Sequence, residues 1–299
     1  MHDYHHHHEV TGKNLSVSIV LNVGITAAQI VGGMISGSLS LLSDALHNLS
    51  DVVSLVLSLV AHRLSKKKAT PAQTFGYKRA ELLAAFVNAA ALILVAGYLI
   101  YEAVGRWNSP TPIASGLVIV LSLLGIIFNG ISTFLLKEDA RHNVNMKSAY
   151  LHLLTDTLAS VAVLTGGLLM YFFAWYWVDA ALTIAIAVYL IIMGWGLLKS
   201  TSRMLLLFTP DHLDIEKIAA RLHTVTRANR LHHIHLWPLN DHVWHFEAHL
   251  HCHQNMTIAE FGQIVRAVEQ LLHDEFHITH STIQPEFGPD CPTGFIAQE

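Results

Sequence analysis

Residues 37–51 read GSLSLLSDALHNLSD, and this stretch decides how the rest of the chain is interpreted. It opens an apolar segment, 41–62, that is long enough to cross a bilayer, yet the segment carries Asp44, His47 and Asp51. Ionisable side chains at membrane depth are costly, so they mark functional positions by default. The stretch therefore predicts a membrane helix that carries a polar site.

The composition of the chain also indicates a membrane protein. Hydrophobic residues make up 52% of the 299 residues and charged residues only 13%, whereas soluble domains carry about 25% charged residues. The candidate spans are 15–36, 41–62, 81–104, 113–136, 148–173 and 178–198. These features exclude a plain soluble enzyme and predict an α-helical membrane protein with six transmembrane helices.

Basic residues are concentrated in two of the connections between these spans. The second-to-third connection holds six Lys and Arg residues between 63 and 79, and the fourth-to-fifth holds Lys137, Arg141 and Lys147. The first-to-second and fifth-to-sixth connections hold none. Because basic loops remain in the cytoplasm, we expect both termini to be cytoplasmic.

The spacing H-x-x-x-D occurs in two different spans. The two pairs are His47 with Asp51 and His152 with Asp156. An i,i+4 spacing puts both side chains on one helix face, so two facing helices would present two imidazoles and two carboxylates. This donor set suits four-coordinate Zn²⁺, and the lack of a thiolate suits a cation that must be released. Since four ligands are available, we assign Asp44 a supporting or gating role.

From residue 209 onward the pattern becomes that of a soluble domain. Residues 15–208 hold 12 Lys and Arg against 8 Asp and Glu, whereas 209–299 hold 5 against 12 and contain 13 of the 22 histidines. The predicted elements are helices over 214–228 and 257–273 and strands over 231–237, 243–252 and 279–286. The order αββαβ predicts an α+β domain.

The second of these strands has a polar face and an apolar face. The polar face holds His245, Glu247, His249, His251 and His253, and the apolar face holds Phe246, Ala248, Leu250 and Cys252. A row of imidazoles can bind metal, or it can be a solvated polar surface, and the pattern leaves both interpretations open.

In combination, these motifs resemble the cation diffusion facilitator family of zinc transporters over nearly the whole chain. The resemblance rests on 37–51, on FGYKRAE at 75–81, on the fifth-span pair, on HLW at 235–237 and on TIQ at 282–284. It implies a homodimeric antiporter, not an enzyme, that exchanges cytoplasmic Zn²⁺, and also Cd²⁺ or Co²⁺, for protons across a bacterial inner membrane. It further implies that His47, Asp51, His152 and Asp156 form the transport site.

The resemblance also implies a ferredoxin-like cytoplasmic domain that binds metal and dimerises. By family position its ligands are His232, His249, His280 and Glu286, with Zn²⁺ as a regulatory ligand. His232 shares strand parity with Ile234 and Leu236, which would turn it toward the core.

Four segments follow from this assignment. They are a His-rich tail (1–14), a transport domain (15–208), a cytoplasmic domain (209–290) and a C-terminal tail (291–299). The expected partners are divalent cations, protons, membrane lipid and a second copy of the chain, with no nucleic acid.

A membrane di-metal oxidoreductase of the desaturase or hydroxylase type is the alternative interpretation. His273-x-x-x-His277 and His232-His233 superficially match its histidine boxes. Such boxes should lie at the cytosolic ends of membrane spans, whereas these lie inside the C-terminal domain. The sequence therefore favours transport.

Overall fold

A computed structural model of the chain describes residues 5–109, 111–137, 144–226, 230–240, 243–252 and 255–288, with residues 5–19 described by their backbone alone. His2, His253 and the predicted tail 291–299 lie outside these residues. The chain divides into two compact units. One comprises residues 1–59 and 87–198, and the other comprises residues 60–86 and 199–299.

Long helices dominate the described residues between 5 and 205. They are α1 (His5–Ser36), α2 (Leu39–Ser65), α3 (Ala80–Asn108), α4 (Ser115–Leu136), α5 (Val144–Phe173) and α6 (Trp177–Leu205). Among the described residues, α2 to α6 are long and apolar enough to cross a membrane, and α1 contributes a shorter apolar part, Val20–Ser36. Each of the six predicted spans therefore coincides with a helix.

A glycine and a carboxylate set the junction between α1 and α2. Gly37 has a φ of 75°, a conformation that other residues rarely adopt, and Arg106 of α3 donates to its carbonyl oxygen. The carboxylate of Asp179 in α6 then accepts hydrogen bonds from the backbone N–H groups of Leu39, at 2.8 Å, and Ser40, at 3.1 Å. Because the first N–H groups of a helix have no partner within it, this carboxylate fixes the start of α2.

Helix α4 packs against α1 and α5. The apolar part of this interface includes Val118 and Val163, both fully buried. A Cβ atom at Gly125 of α4 would lie 2.9 Å from Gln29 Nε2 and 3.0 Å from Ser160 Oγ. The glycine thus leaves room for two polar side chains where α1, α4 and α5 meet.

The C-terminal part of the chain forms a small α+β fold. Its elements are α7 (Ile215–His223), β1 (Arg230–Asn240), β2 (Val243–Cys252), α8 (Ile258–Phe276) and β3 (His280–Phe287). The sheet order is β1-β2-β3, with β1 antiparallel and β3 parallel to β2. The predicted order αββαβ is confirmed. Helix α7 ends earlier than predicted because the β-branched residues 224–226 follow it.

One face of the sheet packs against α7 and α8. Phe246, Ala248 and Leu250 of β2 are buried there, as their alternation predicts, with Leu222 of α7 and Leu272 of α8. This packing leaves the other face of β2 to its histidines.

Candidate metal centres

Helices α2 and α5 bring the two H-x-x-x-D pairs together. His47 lies 3.7 Å from Asp51 Oδ2 through Nδ1 and 3.5 Å from Asp156 Oδ1 through Nε2. His152 Nε2 lies 3.2 Å from Asp51 Oδ2 and 3.7 Å from Asp156 Oδ2. The two imidazole rings meet edge to face, with centroids 5.8 Å apart. Each imidazole thus lies between both carboxylates.

Several ligand atoms of this cluster are buried and make no well-oriented hydrogen bond. Both ring nitrogens of His47, both carboxylate oxygens of Asp156 and Oδ2 of Asp51 have no hydrogen-bond partner among the described residues. Buried polar atoms are normally hydrogen-bonded, and each one left unpaired costs about 1–3 kcal/mol. A divalent cation would satisfy these atoms, so the cluster has the chemistry of a metal site.

Exposure changes across the cluster. The side chains of Asp51 and His152 are 33% and 42% exposed, whereas those of His47 and Asp156 are 12% and 0% exposed. The contact between Asp51 and His152 is therefore the accessible side, and the contact between His47 and Asp156 is the closed side.

Asp44 lies one turn of α2 beyond His47, on the closed side. Its Oδ2 accepts hydrogen bonds from Gln29 Nε2 of α1 and from Ser160 Oγ of α5, both at 3.2 Å. These partners are uncharged. The supporting or gating role of Asp44 stays a prediction. Its hydrogen-bond partners in α1 and α5 had no signal in the sequence.

Helices α3 and α6 also contact α2 beside the cluster. Asn88 Nδ2 of α3 donates to Ser50 Oγ at 3.0 Å and to Ser54 Oγ at 2.7 Å. The ring of Tyr189 in α6 lies 6.2 Å from that of His47. These contacts hold the face of α2 that carries the ligands.

A second cluster lies on the β-sheet and is centred on Glu286 of β3. Glu286 Oε1 lies 2.6 Å from His249 Nδ1, and its Oε2 lies 2.9 Å from His232 Nε2. His232 is 4% exposed, and this burial lowers its pKa. A lowered pKa favours the neutral imidazole, which is the form that binds metal.

A β-bulge in β1 puts His232 on the ligand face. The pairing register shifts between His232 and His235, and His233 has a φ of 52°. The extra residue changes the alternation, so Leu231 and Ile234 both reach the core and His232 lies directly opposite His249. The inward orientation that strand parity suggested for His232 is therefore avoided.

The structure does not bring His280 to this cluster. In the parallel register of β2 and β3, His280 is opposite His245, and their ring centroids lie 4.3 Å apart. Glu286 lies six positions after His280, about 20 Å along an extended strand. This spacing along one strand keeps the two side chains apart, and the register with β2 puts His280 beside His245 instead.

The polar face of β2 is largely covered, not solvated. His245 and His251 are 6% and 3% exposed. Rings of Phe75 and Trp237 lie 5.5 and 5.6 Å from the His245 ring. Burial, the nearby His280 and the cations of Lys78 and Arg79 lower the pKa of His245.

Two contacts of these histidines had no signal in the sequence. His233, at the bulge, stacks on His249 with ring centroids 4.4 Å apart and an interplanar angle of 10°. Phe75, in the FGYKR motif, packs on His245. Both contacts join segments that are distant in sequence or irregular in conformation.

Comparison with protein families matches both parts of the chain. Residues 15–206 match the model of the cation efflux transmembrane domain. Residues 210–287 match the model of the cytoplasmic domain of cation efflux proteins. The membrane oxidoreductase alternative is not supported by either match.

Several metal transporters are similar to this chain over nearly its full length. The cadmium, cobalt and zinc/H(+)-K(+) antiporter of Bacillus subtilis is 35% identical over 94% of this chain and 91% of its own length. The metal cation efflux system protein CzcD of Cupriavidus metallidurans is 35% identical over 98% and 93%. The zinc transporter ZitB of Escherichia coli is 31% identical over 93% and 90%. With two family domains in the expected order and relatives of this length, the chain belongs to the cation efflux family of membrane metal transporters, the resemblance that its motifs predicted.

Proposed function

We propose that this chain exports Zn²⁺, with Cd²⁺ and Co²⁺ as further cargo, from the cytoplasm in exchange for protons. One observation carries the proposal: His47, His152 and Asp156 offer ligand atoms within 4.8 Å of one another, and Asp51 lies within 3.7 Å of both imidazoles. The names of relatives support the cargo, since one names cadmium, cobalt and zinc and another names zinc alone.

The donor set explains how metal and proton fluxes are coupled. Two imidazole nitrogens and two carboxylate oxygens supply the tetrahedral shell that Zn²⁺ prefers. The imidazoles must be neutral and the carboxylates ionised to bind it. Protons and metal therefore compete for the same atoms, so protons that return to the cluster release the cation.

The distribution of basic residues supports the direction of transport. With the Lys and Arg residues of 63–79 in the cytoplasm, the end of α2 near Ser65 and the start of α5 near Val144 are cytoplasmic. Asp51 and His152, the exposed members of the cluster, lie toward that end. Both termini are then cytoplasmic, in a bacterial inner membrane.

The sheet cluster of His232, His249 and Glu286 is proposed as a regulatory Zn²⁺ site in a homodimer. Its ligand atoms all lie within 4.8 Å of one another. Two imidazoles and one carboxylate leave one position of a tetrahedral shell to another ligand. His280 is not included, because it lies beside His245.

Transport in proteoliposomes tests the proposal. The full chain is reconstituted with a zinc-sensitive dye inside, and Zn²⁺ uptake is followed under an imposed pH gradient. We expect Asp51→Ala and Asp156→Ala to reduce uptake by at least about 100-fold, because each removes a charged ligand. Glu102→Gln, which changes a carboxylate of α3 that pairs with Arg106, is the matched control and should retain uptake.

Two outcomes contradict the proposal. One is wild-type uptake no faster than that of empty liposomes. The other is uptake at the wild-type rate in both aspartate variants.

A further inference from the structure

Besides the ligand Asp156, two carboxylates are buried among the described residues of the helical unit, and they differ in their hydrogen bonding. Asp179 and Asp44 are each 1% exposed. Both oxygens of Asp179 accept hydrogen bonds: Oδ1 from the hydroxyls of Ser38 and Ser40, each at 2.6 Å, and from the Ser40 N–H, and Oδ2 from the Leu39 N–H. Such saturation by donors suits an ionised carboxylate, which only accepts.

Asp44 has a different environment. Its Oδ2 accepts from Gln29 and Ser160, but its Oδ1 is buried without a partner among the described residues. An ionised carboxylate with an unpaired buried oxygen is far more costly than a neutral acid in the same place. A proton on Oδ1 removes the charge and leaves Oδ2 free to accept both hydrogen bonds.

Among the described residues, the side chains that contact Asp44 from α1 and α5 are uncharged. Helix α1 contributes the amide of Gln29, α4 contributes Gly125, and α5 contributes the hydroxyl of Ser160. The nearest titratable groups belong to the metal cluster: His47 and Asp51 on α2, and His152 and Asp156 on α5.

Asp44 and Ser160 form a third contact in line with the two contacts of the cluster. Asp51 pairs with His152 at 3.2 Å, His47 with Asp156 at 3.5 Å, and Asp44 with Ser160 at 3.2 Å. Three residues of helix, about 4.5 Å of rise, separate Asp44 from His47. A divalent charge bound in the cluster would therefore act strongly on Asp44 in this buried setting.

We propose that Asp44 holds a proton on Oδ1 in this arrangement and releases it to bulk water when a divalent cation binds in the cluster. The O–H bond breaks, and the carboxylate that remains balances one positive charge of the cation. Asp44 is then a proton-carrying residue beyond the four ligands and is not itself a ligand. The inference rests on the proposed transport site.

Counting protons tests this inference. The full chain in detergent, with His249→Ala in every sample to remove the sheet site, is titrated with Zn²⁺ in buffers of different ionisation enthalpy. We expect Asp44→Asn to bind Zn²⁺ about 10-fold more weakly than the wild type, because the charge that balances the cation is missing, and to release about one proton fewer per bound cation. Ser122→Ala, which removes another buried hydroxyl of the helical unit, is the matched control and should release the wild-type number.

Two results would overturn the inference. One is an unchanged proton count in Asp44→Asn. The other is a loss of Zn²⁺ affinity of more than about 100-fold, which would make Asp44 a ligand. Failure of the transport site itself would look different, because Zn²⁺ binding would then survive Asp156→Ala.

Infrared difference spectra provide a second test should Asp44→Asn fail to fold. In the His249→Ala chain, Zn²⁺ should remove the carbonyl band of a protonated carboxylic acid. Ser160→Ala removes a hydrogen bond to Asp44 without removing the acid, so it should shift that band, whereas Ser122→Ala should not. The assignment is refuted if the band is absent, or if its frequency is the same in Ser160→Ala as in the parent chain.

Discussion

The helix cluster and the sheet cluster use the same kinds of ligand but hold them differently. Between α2 and α5, imidazoles and carboxylates approach to 3.2–3.7 Å and most of the buried ligand atoms stay unpaired. On the sheet, one carboxylate holds both imidazoles at 2.6 and 2.9 Å. The contacts between imidazole and carboxylate are therefore longer in the first cluster than in the second.

The supports of the two clusters explain this difference. The helix ligands belong to two separate helices, so a small movement of one helix changes the distances from His47 to Asp156 and from His152 to Asp51. The sheet ligands belong to adjacent strands whose spacing is fixed by backbone hydrogen bonds. We therefore expect the helix cluster to release its cation readily and the sheet cluster to retain it.

The largest expected effect separates the two clusters in one assay. Asp156→Ala should abolish Zn²⁺ uptake by proteoliposomes yet leave the cation retained by the sheet cluster, measured by equilibrium dialysis of the full chain. The double variant His232→Ala, His249→Ala should lose that retained cation. Its uptake should stay within about 10-fold of the wild-type rate, because residues outside the transport site adjust its activity without binding the cargo. Loss of both properties in either variant would mean that the clusters are not independent.

The second prediction concerns the start of α2, which positions the helix cluster. Asp179→Asn should destabilise the protein by about 3 kcal/mol, because a buried charged acceptor of four hydrogen bonds is replaced by a neutral amide that donates as well. The midpoint of thermal unfolding in detergent measures this change, with Glu102→Gln as the control. A midpoint equal to that of the control variant would show that this carboxylate does not stabilise the junction.

The third prediction sharpens the account of the sheet cluster. Glu286→Gln keeps the shape of the side chain but removes the charge that holds His232 and His249. We expect the retained Zn²⁺ to bind about 10-fold to 100-fold more weakly, with uptake by the helix cluster unchanged. His280→Gln is the matched control, since His280 lies beside His245. Equal losses in both variants would contradict the three-ligand site.

The smallest expected effect is a pH dependence confined to the sheet. The pKa of His245 is lowered from 6.5 in the folded protein, so the unfolded chain takes up a proton first as the pH falls. Stability of the sheet should therefore decrease as the pH falls through about 6.5 and level off below the folded pKa. Amide hydrogen exchange of β2, corrected for the intrinsic rate, measures this loss.

A variant provides the control for this pH dependence. His245→Gln should weaken the response of β2 and leave the part due to His232, whose pKa burial also lowers, and α4 should lack the response in both proteins. An unchanged pH response in His245→Gln would assign it to other groups.

Helical periodicity was sufficient to predict the helix cluster from the sequence. Residues four apart on a helix share a face whatever surrounds them, so His47 with Asp51 and His152 with Asp156 could be grouped before any fold was known. Asp44 could be identified from the sequence as a neighbour of these ligands. The residues that donate hydrogen bonds to it, Gln29 and Ser160, could not, because those contacts depend on how the helices are aligned.

The sheet cluster was only partly predictable, because strand register and bulges are set by contacts distant in sequence. Alternation along β2 identified the face of His249. It could not show that a bulge at His233 brings His232 to that face, nor that the parallel pairing of β3 puts Glu286 near His249 and His280 far from it.

The alternation of acid and base along α2 and α5 restricts how these helices can move. Acid on one helix opposes base on the other at two successive contacts, and Asp44 opposes Ser160 at the next. A slide of one turn in one direction would bring Asp51 opposite Asp156. A slide in the other direction would bring His47 opposite His152 and Asp44 opposite Asp156. Like groups meet in both cases, so translation is disfavoured, and tilting or rotation of α2 against α5 is the motion by which the cluster can open.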